Sequence, residues 1–191
     1  MAERLTPRAR RVLAGALVAA ALAAPACDRT PAVPAARPSV AASSLFGSVD
    51  LAWINLNIAM NEQLLPLLEL VPTRSGDPDV QALALQVQAF TDAELSTLRA
   101  LHDQAGLPDE NPYLGRPLPG IVTPEQVAAA AKLVGKKFDV VAVEYIRAHL
   151  VQSVSLAHSE EESGAEPQSR ALALQIIRTR DAAMSTLQKA S

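Results

Sequence analysis

The chain has 191 residues, 49% of them hydrophobic, with 3% aromatics, one cysteine, three histidines, three methionines and a net charge of −3. That length suits one domain with or without a targeting segment, and the hydrophobic share excludes wholesale disorder. A single cysteine excludes an internal disulfide framework and a multi-cysteine zinc site. The acidic balance argues against a nucleic-acid partner, because neutralising phosphates takes clustered Lys and Arg.

The chain begins with Arg4, Arg8, Arg10 and Arg11, followed by an apolar run from Val12 to Ala24. A basic flank, a short apolar core and a small-residue exit are the three parts of a secretory signal, and residues 1–26 are assigned to one. The run is shorter than the roughly 20 residues that span a bilayer. Ala24-Pro25-Ala26 leads straight into Cys27, which supports two cuts at the same bond. One is the ordinary Ala-x-Ala cleavage, giving a soluble secreted form. The other resembles lipobox processing, which acylates the cysteine. Because Cys27 is the only thiol, we read it as a lipidation site and the protein as extracytoplasmic, held to the membrane by an N-terminal lipid. Cleavage before Cys27 leaves 165 residues and, since the signal carries four Arg and Glu3, a net charge of −6. So acidic a chain needs a lipid rather than electrostatics to stay on an anionic bilayer. Residues 27–47, rich in Pro, Ala and Ser, read as an extended tether.

Residues 48–191 contain one pattern written twice. Shifting the sequence by 89 residues lays Ala82-Leu83-Ala84-Leu85-Gln86 on Ala171-Leu172-Ala173-Leu174-Gln175 and Ser96-Thr97-Leu98 on Ser185-Thr186-Leu187. The same shift pairs Asp50 with Asp139 and Pro78 with Pro167. Repeat one covers 48–105, a linker 106–135, and repeat two 136–191. Helical periodicity predicts helices over about 48–71, ended by Pro72, then about 79–102, 136–162 and 168–189. Thr123-Pro124-Glu125-Gln126 opens a short fifth helix reaching about Val134, since Thr caps, Pro takes the first position and Gln the third. Nothing alternates with a period of two. The expected fold is all-α: an antiparallel four-helix bundle made of two repeated hairpins.

Successive helical residues turn by about 100°. Asn55, Glu62 and Glu69 mark a wet face on the first helix, which turns Trp53, Asn57, Met60, Leu64 and Leu68 inward. On the third long helix Glu144, Arg147, Ser155 and Glu162 lie outward, and Ala142, Ile146, His149, Ser153 and Ala157 inward. His158 and His102 read as surface histidines, and the run Glu160-Glu161-Glu162 as a solvated, fraying terminus. The second helix carries an apolar stripe of Val80, Leu83, Val87, Phe90, Leu98 and Leu101, interrupted by Glu94. A carboxylate on a buried face needs a partner or a proton. Met60, Glu94 and His149, with Asn57 and Asn61 as polar neighbours, form the candidate core site. A thioether, a carboxylate and an imidazole suit copper or a similar metal. The alternative is a hydrogen-bonded Glu94–His149 pair with Met60 as filler.

These helices resemble the exported, ferritin-like domain-of-unknown-function family 305. Its long helices read Asp-x-x-Phe-Leu-x-x-Met-Ile-Pro-His-His-x-x-Ala-Ile-x-Met-Ala in two copies, each followed by a helix with Gln-x-x-Glu-Ile-x-x-Met. Here the first copy is carried by Asp50, Trp53-Ile54 and Asn57-Ile58-Ala59-Met60-Asn61, and the second by Phe138-Asp139, Glu144 and Ala148-His149-Leu150. The resemblance implies a ferritin-like fold and an association with copper or other metals through the His pairs. Met60-Asn61 stands in place of the first pair, and Leu150 replaces one member of the second. Thr91 and Glu94 occupy the Gln-x-x-Glu positions of copy one, Arg180 and Ala183 those of copy two. The chain has no Gly-rich phosphate loop, no Gly-x-Ser-x-Gly and no His-Glu-x-x-His. We therefore expect a binding or accessory module with no catalysis, copper being the one cofactor to test and the protein partner unassigned.

Overall fold

The computed structural model describes residues 45–188, so the signal segment, Cys27 and most of the tether lie outside the described residues. Five helices follow in order, α1 Ser48–Arg74, α2 Pro78–Ala105, α3 Pro124–Ala130, α4 Lys136–Ser163 and α5 Pro167–Leu187, and the described residues contain no strand. The four long helices form a closed ring of contacts: α1 packs on α2 and α4, and α5 on α4 and α2. The Gly135 N–H donates to the Arg74 carbonyl at 2.7 Å, and the Ala165 N–H to Asp50 at 3.0 Å. The start of α4 therefore lies at the end of α1, and the end of α4 at the start of α1.

Local chemistry explains the element ends, and the repeat appears in it. Pro78 and Pro167 both open their helices, where a missing N–H costs nothing. The residue before each is the cap: Asp77 accepts from the Asp79 and Val80 N–H groups, and Glu166 from Ser169. α2 stops at Gly106, whose φ of 66° is the left-handed turn glycine tolerates best. Thr123 and Gln126 form the expected reciprocal cap of α3.

Three boundary and facing expectations are corrected. α1 does not end at Pro72 but runs to Arg74; Pro72 sits on the exposed side, and Ser75 N–H still reaches the Val71 carbonyl at 2.9 Å. α3 stops at Ala130, after which tighter three-residue bonds lead to Gly135 at φ 57°. Asn55 is buried because the linker covers it, with the Asn111 side chain donating to its carbonyl at 2.7 Å. The other inward residues expected on α1 and α4 are all buried.

The apolar core falls into two main clusters. One joins Leu64, Leu67, Val87, Phe138, Ile146 and Ala183; the other joins Trp53, Ile54, Leu98, Leu101, Ala173 and Ile176. Between them along the helices sits a polar layer: Asn61 on α1, Thr91 and Glu94 on α2, Ser153 on α4 and Arg180 on α5, all buried.

Candidate functional site

Glu94 enters the layer because its helical spacing puts it on the stripe with Val87, Leu98 and Leu101. Its partner comes from α5. Leu172, Ile176, Arg180, Ala183 and Leu187 share one buried stripe, so the guanidinium is delivered to the interior. The two groups meet bidentately: Arg180 Nη1 donates to Glu94 Oε1 at 2.5 Å and Nη2 to Oε2 at 2.9 Å. Neither residue has measurable exposure. The guanidinium carbon lies 4.1 Å from the centroid of the Phe90 ring, and the Asn61 amide reaches Oε2 at 3.4 Å. Burying a charge is costly unless it is paired and hydrogen-bonded, and this fork supplies both. Burial depresses the Arg180 pKa, while Glu94 opposes the shift and keeps the cation.

His149 is also fully buried, and neither ring nitrogen has a hydrogen-bond partner of regular geometry. Burial pushes its pKa down to about 3, and the positive charge of Arg180 adds to the effect, with the Gly120 backbone pulling weakly the other way. The ring is therefore neutral. The Glu94–His149 pair is not formed; Arg180 takes the place of the histidine, because a fixed cation compensates a buried carboxylate better than a group that loses its proton there. Met60 and His149 both approach Gly120. A Cβ on Gly120 would stand 3.0 Å from the Met60 methyl and 2.5 Å from Gln152 Cβ, and its φ of 75° also favours glycine. Of the expected polar neighbours, Asn61 contacts Glu94, whereas Asn57 turns back to the Trp53 carbonyl at 2.9 Å. His102 is half-buried and bonds the Pro108 carbonyl, and His158 is exposed beside Glu161.

A second buried polar group lies at the end of the bundle where α1 begins. Asp50 and Glu160 have no exposure, and Glu166 is 4% exposed. Asp50 accepts from the Gly47, Ala165 and Glu166 N–H groups at 2.6, 3.0 and 3.0 Å. The expectation of a solvated Glu160 is corrected: with Ser153 and Ala157 it lies on the inward stripe of α4 and meets Asp50. Glu161 and Glu162 stay at the surface.

The model of the family described as "Domain of unknown function (DUF305)" matches residues 50–191. The chain belongs to the DUF305 family. Two solved DUF305 structures share its fold. One, described as the "putative secreted protein DUF305 from Streptomyces coelicolor", is 18% identical with a TM-score of 0.65, over 73% of this chain and 90% of that one. The other, a fragment from Deinococcus radiodurans, is 19% identical with a TM-score of 0.65, over 75% and 95%. No curated protein matches the chain in sequence. Laid on the DUF305 repeat, Met60 and His149 are equivalent positions, as are Thr91 and Arg180, and Glu94 and Ala183. The ion pair thus joins the Glu of one copy to an Arg standing at the Gln position of the other. Sequence reasoning noted Arg180 only as a departure; its seat on the Leu172–Ile176–Leu187 stripe is the signal that would have found it.

These residues fit a metal poorly. Both Glu94 oxygens are engaged by Arg180, and among the described residues no three His, Cys, Asp or Glu side chains are placed to hold an ion. The donors left in the layer are the His149 ring, touched by the Gly120 backbone, and the Met60 sulfur.

Proposed function

We propose that this DUF305 protein is an extracytoplasmic, lipid-anchored helical-bundle binding or accessory module without catalysis. The observation that carries the reading is the closed Glu94–Arg180 fork: the core carboxylate is balanced internally by a cation the chain itself supplies. Its partner groups are spent on structure, leaving no acid, base or metal ligand from the pair for chemistry. Among the described residues, surface clefts of 220 to 290 Å³ flank the bundle that are lined by other residues than Glu94, His149 and Arg180. Among the described residues no helix is long and apolar enough to cross a membrane. The description of the Streptomyces coelicolor relative as a "putative secreted protein" supports export. Cell fractionation of the full chain tests the anchor: wild type is expected with the membranes and Cys27→Ser in the soluble fraction. A serine variant that stays on the membrane discards the lipid.

A second reading, a copper-binding or sequestering protein, draws on the buried His149 ring, which has no side-chain partner, and on Met60 beside the same glycine. A soft thioether and an imidazole suit copper in type. The two readings part on whether metal binding is measurable and depends on His149.

A further inference from the structure

The end cluster does something the central ion pair does not: it brings two acids together. The Asp50 carboxylate, at the start of α1, is filled by three backbone N–H groups, two of them from the turn between α4 and α5. Glu160 faces it from the last turn of α4. Its carboxyl has no exposure, and neither oxygen receives a hydrogen bond from the described residues. Two ionised carboxylates in contact out of water repel strongly, whereas a carboxyl that keeps its proton can donate it to its neighbour. Nor can Glu160 swing away on the turn side, because the Gly164 backbone is pressed against it: a Cβ there would stand 2.5 Å from Glu160 Oε1. The other charged groups facing Glu160 are Arg170 of α5, which favours its anion, and, from the turn just before that helix, Glu166, which repels it.

We propose that Asp50 and Glu160 form a proton-held latch between the start of α1 and the α4–α5 turn, closed while the two carboxyls share one proton and released when that proton is lost. The bond that breaks on release is the Glu160 O–H, and the proton passes to solvent. What remains is a pair of facing carboxylates, relieved only by separating the two segments. Burial first, then the hydrogen bond and charge of Asp50, push the Glu160 carboxyl up to about 8. The same contact and the backbone donors hold Asp50 below the usual carboxylate range, against the opposing effect of burial. The pair therefore carries one proton at neutral pH and loses it at mildly alkaline pH. An exported domain meets external pH directly, so this end of the bundle would report it. The segment it frees is the one by which the chain enters the domain at Gly47.

Amide hydrogen exchange on the full chain tests the latch. After correction for the base-catalysed intrinsic rate, protection at Ala165 and Glu166 is expected to fall about tenfold or more between roughly pH 7 and pH 9. In Glu160→Gln, whose amide N–H mimics the proton, protection is expected to stay level. Flat protection in wild type, or the same fall in Glu160→Gln, overturns the proposal. Carboxyl carbon NMR of the wild type reads the pair without a variant: one glutamate titrating near pH 8 supports the latch, and none titrating above pH 7 overturns it.

Discussion

The bundle buries carboxylates in two places and compensates them in two ways. At the centre, Glu94 meets a guanidinium; at the end, Asp50 meets three backbone N–H groups and the Glu160 carboxyl, whose pKa burial and Asp50 push up to about 8. Opposite charges in a fork need no shared proton, and the guanidinium keeps its charge as pH rises past neutrality. Like charges hold only as long as one proton remains. The first arrangement fixes which faces of α2 and α5 meet; the second makes one end of the same fold conditional.

Removing either half of the central pair should show the larger effect. Arg180→Gln leaves Glu94 buried without its cation and should cost about 3–5 kcal/mol in denaturant unfolding. Replacing both residues with apolar side chains of similar volume should recover most of that loss, as breaking a buried pair is worse than deleting it. If Arg180→Gln is neutral, the pair does not hold the core.

Above neutral pH the end region should respond where the centre does not. The native chain keeps the Glu160 proton up to about pH 8, whereas the unfolded chain releases it near the ordinary value of 4.5. Native protein therefore binds more protons in that window, and stability falls as pH rises through it. At the acid end Asp50, held below its usual range, contributes stability that is lost as pH falls through its native pKa. Thermal unfolding of wild type should lose midpoint temperature from about pH 7 to pH 9, above the range in which an unfolded His149 takes up its proton, and Glu160→Gln should flatten that slope. Equal slopes would erase the contrast between the two regions.

Smaller changes sharpen the picture of the centre. Gly120→Ala must adopt a positive φ and press on Gln152 and Met60, and should cost about 1–3 kcal/mol in the same unfolding experiment. Thr91→Val should be neutral or stabilising, by less than about 1 kcal/mol, because the Thr91 hydroxyl is buried without a partner. A marked loss for Thr91→Val would show that the hydroxyl has a role in the polar layer.

The division between what the residues disclosed and what they hid follows from range. The repeat, the helix order and the inward faces of Met60, Glu94 and His149 were legible, because they rest on periodicity within one helix. The Glu94 partner was not, since Arg180 lies 86 residues away and only helix packing brings α2 against α5. Periodicity did seat Arg180 on an apolar stripe, so half of that signal was present. Glu160 was hidden by its own neighbours: in a run of three acids, the one on the inward stripe looks like the other two. Asn55 was hidden by the linker, whose path over α1 no helical pattern records.

The most direct test of a core balanced by its own cation is calorimetric titration of the full chain with Cu(I), Cu(II) and Zn(II), for wild type and His149→Ala. The Glu94–Arg180 fork predicts no binding tighter than about millimolar in either protein. Tight binding in wild type that disappears in His149→Ala would contradict it and establish the bundle core as a metal site.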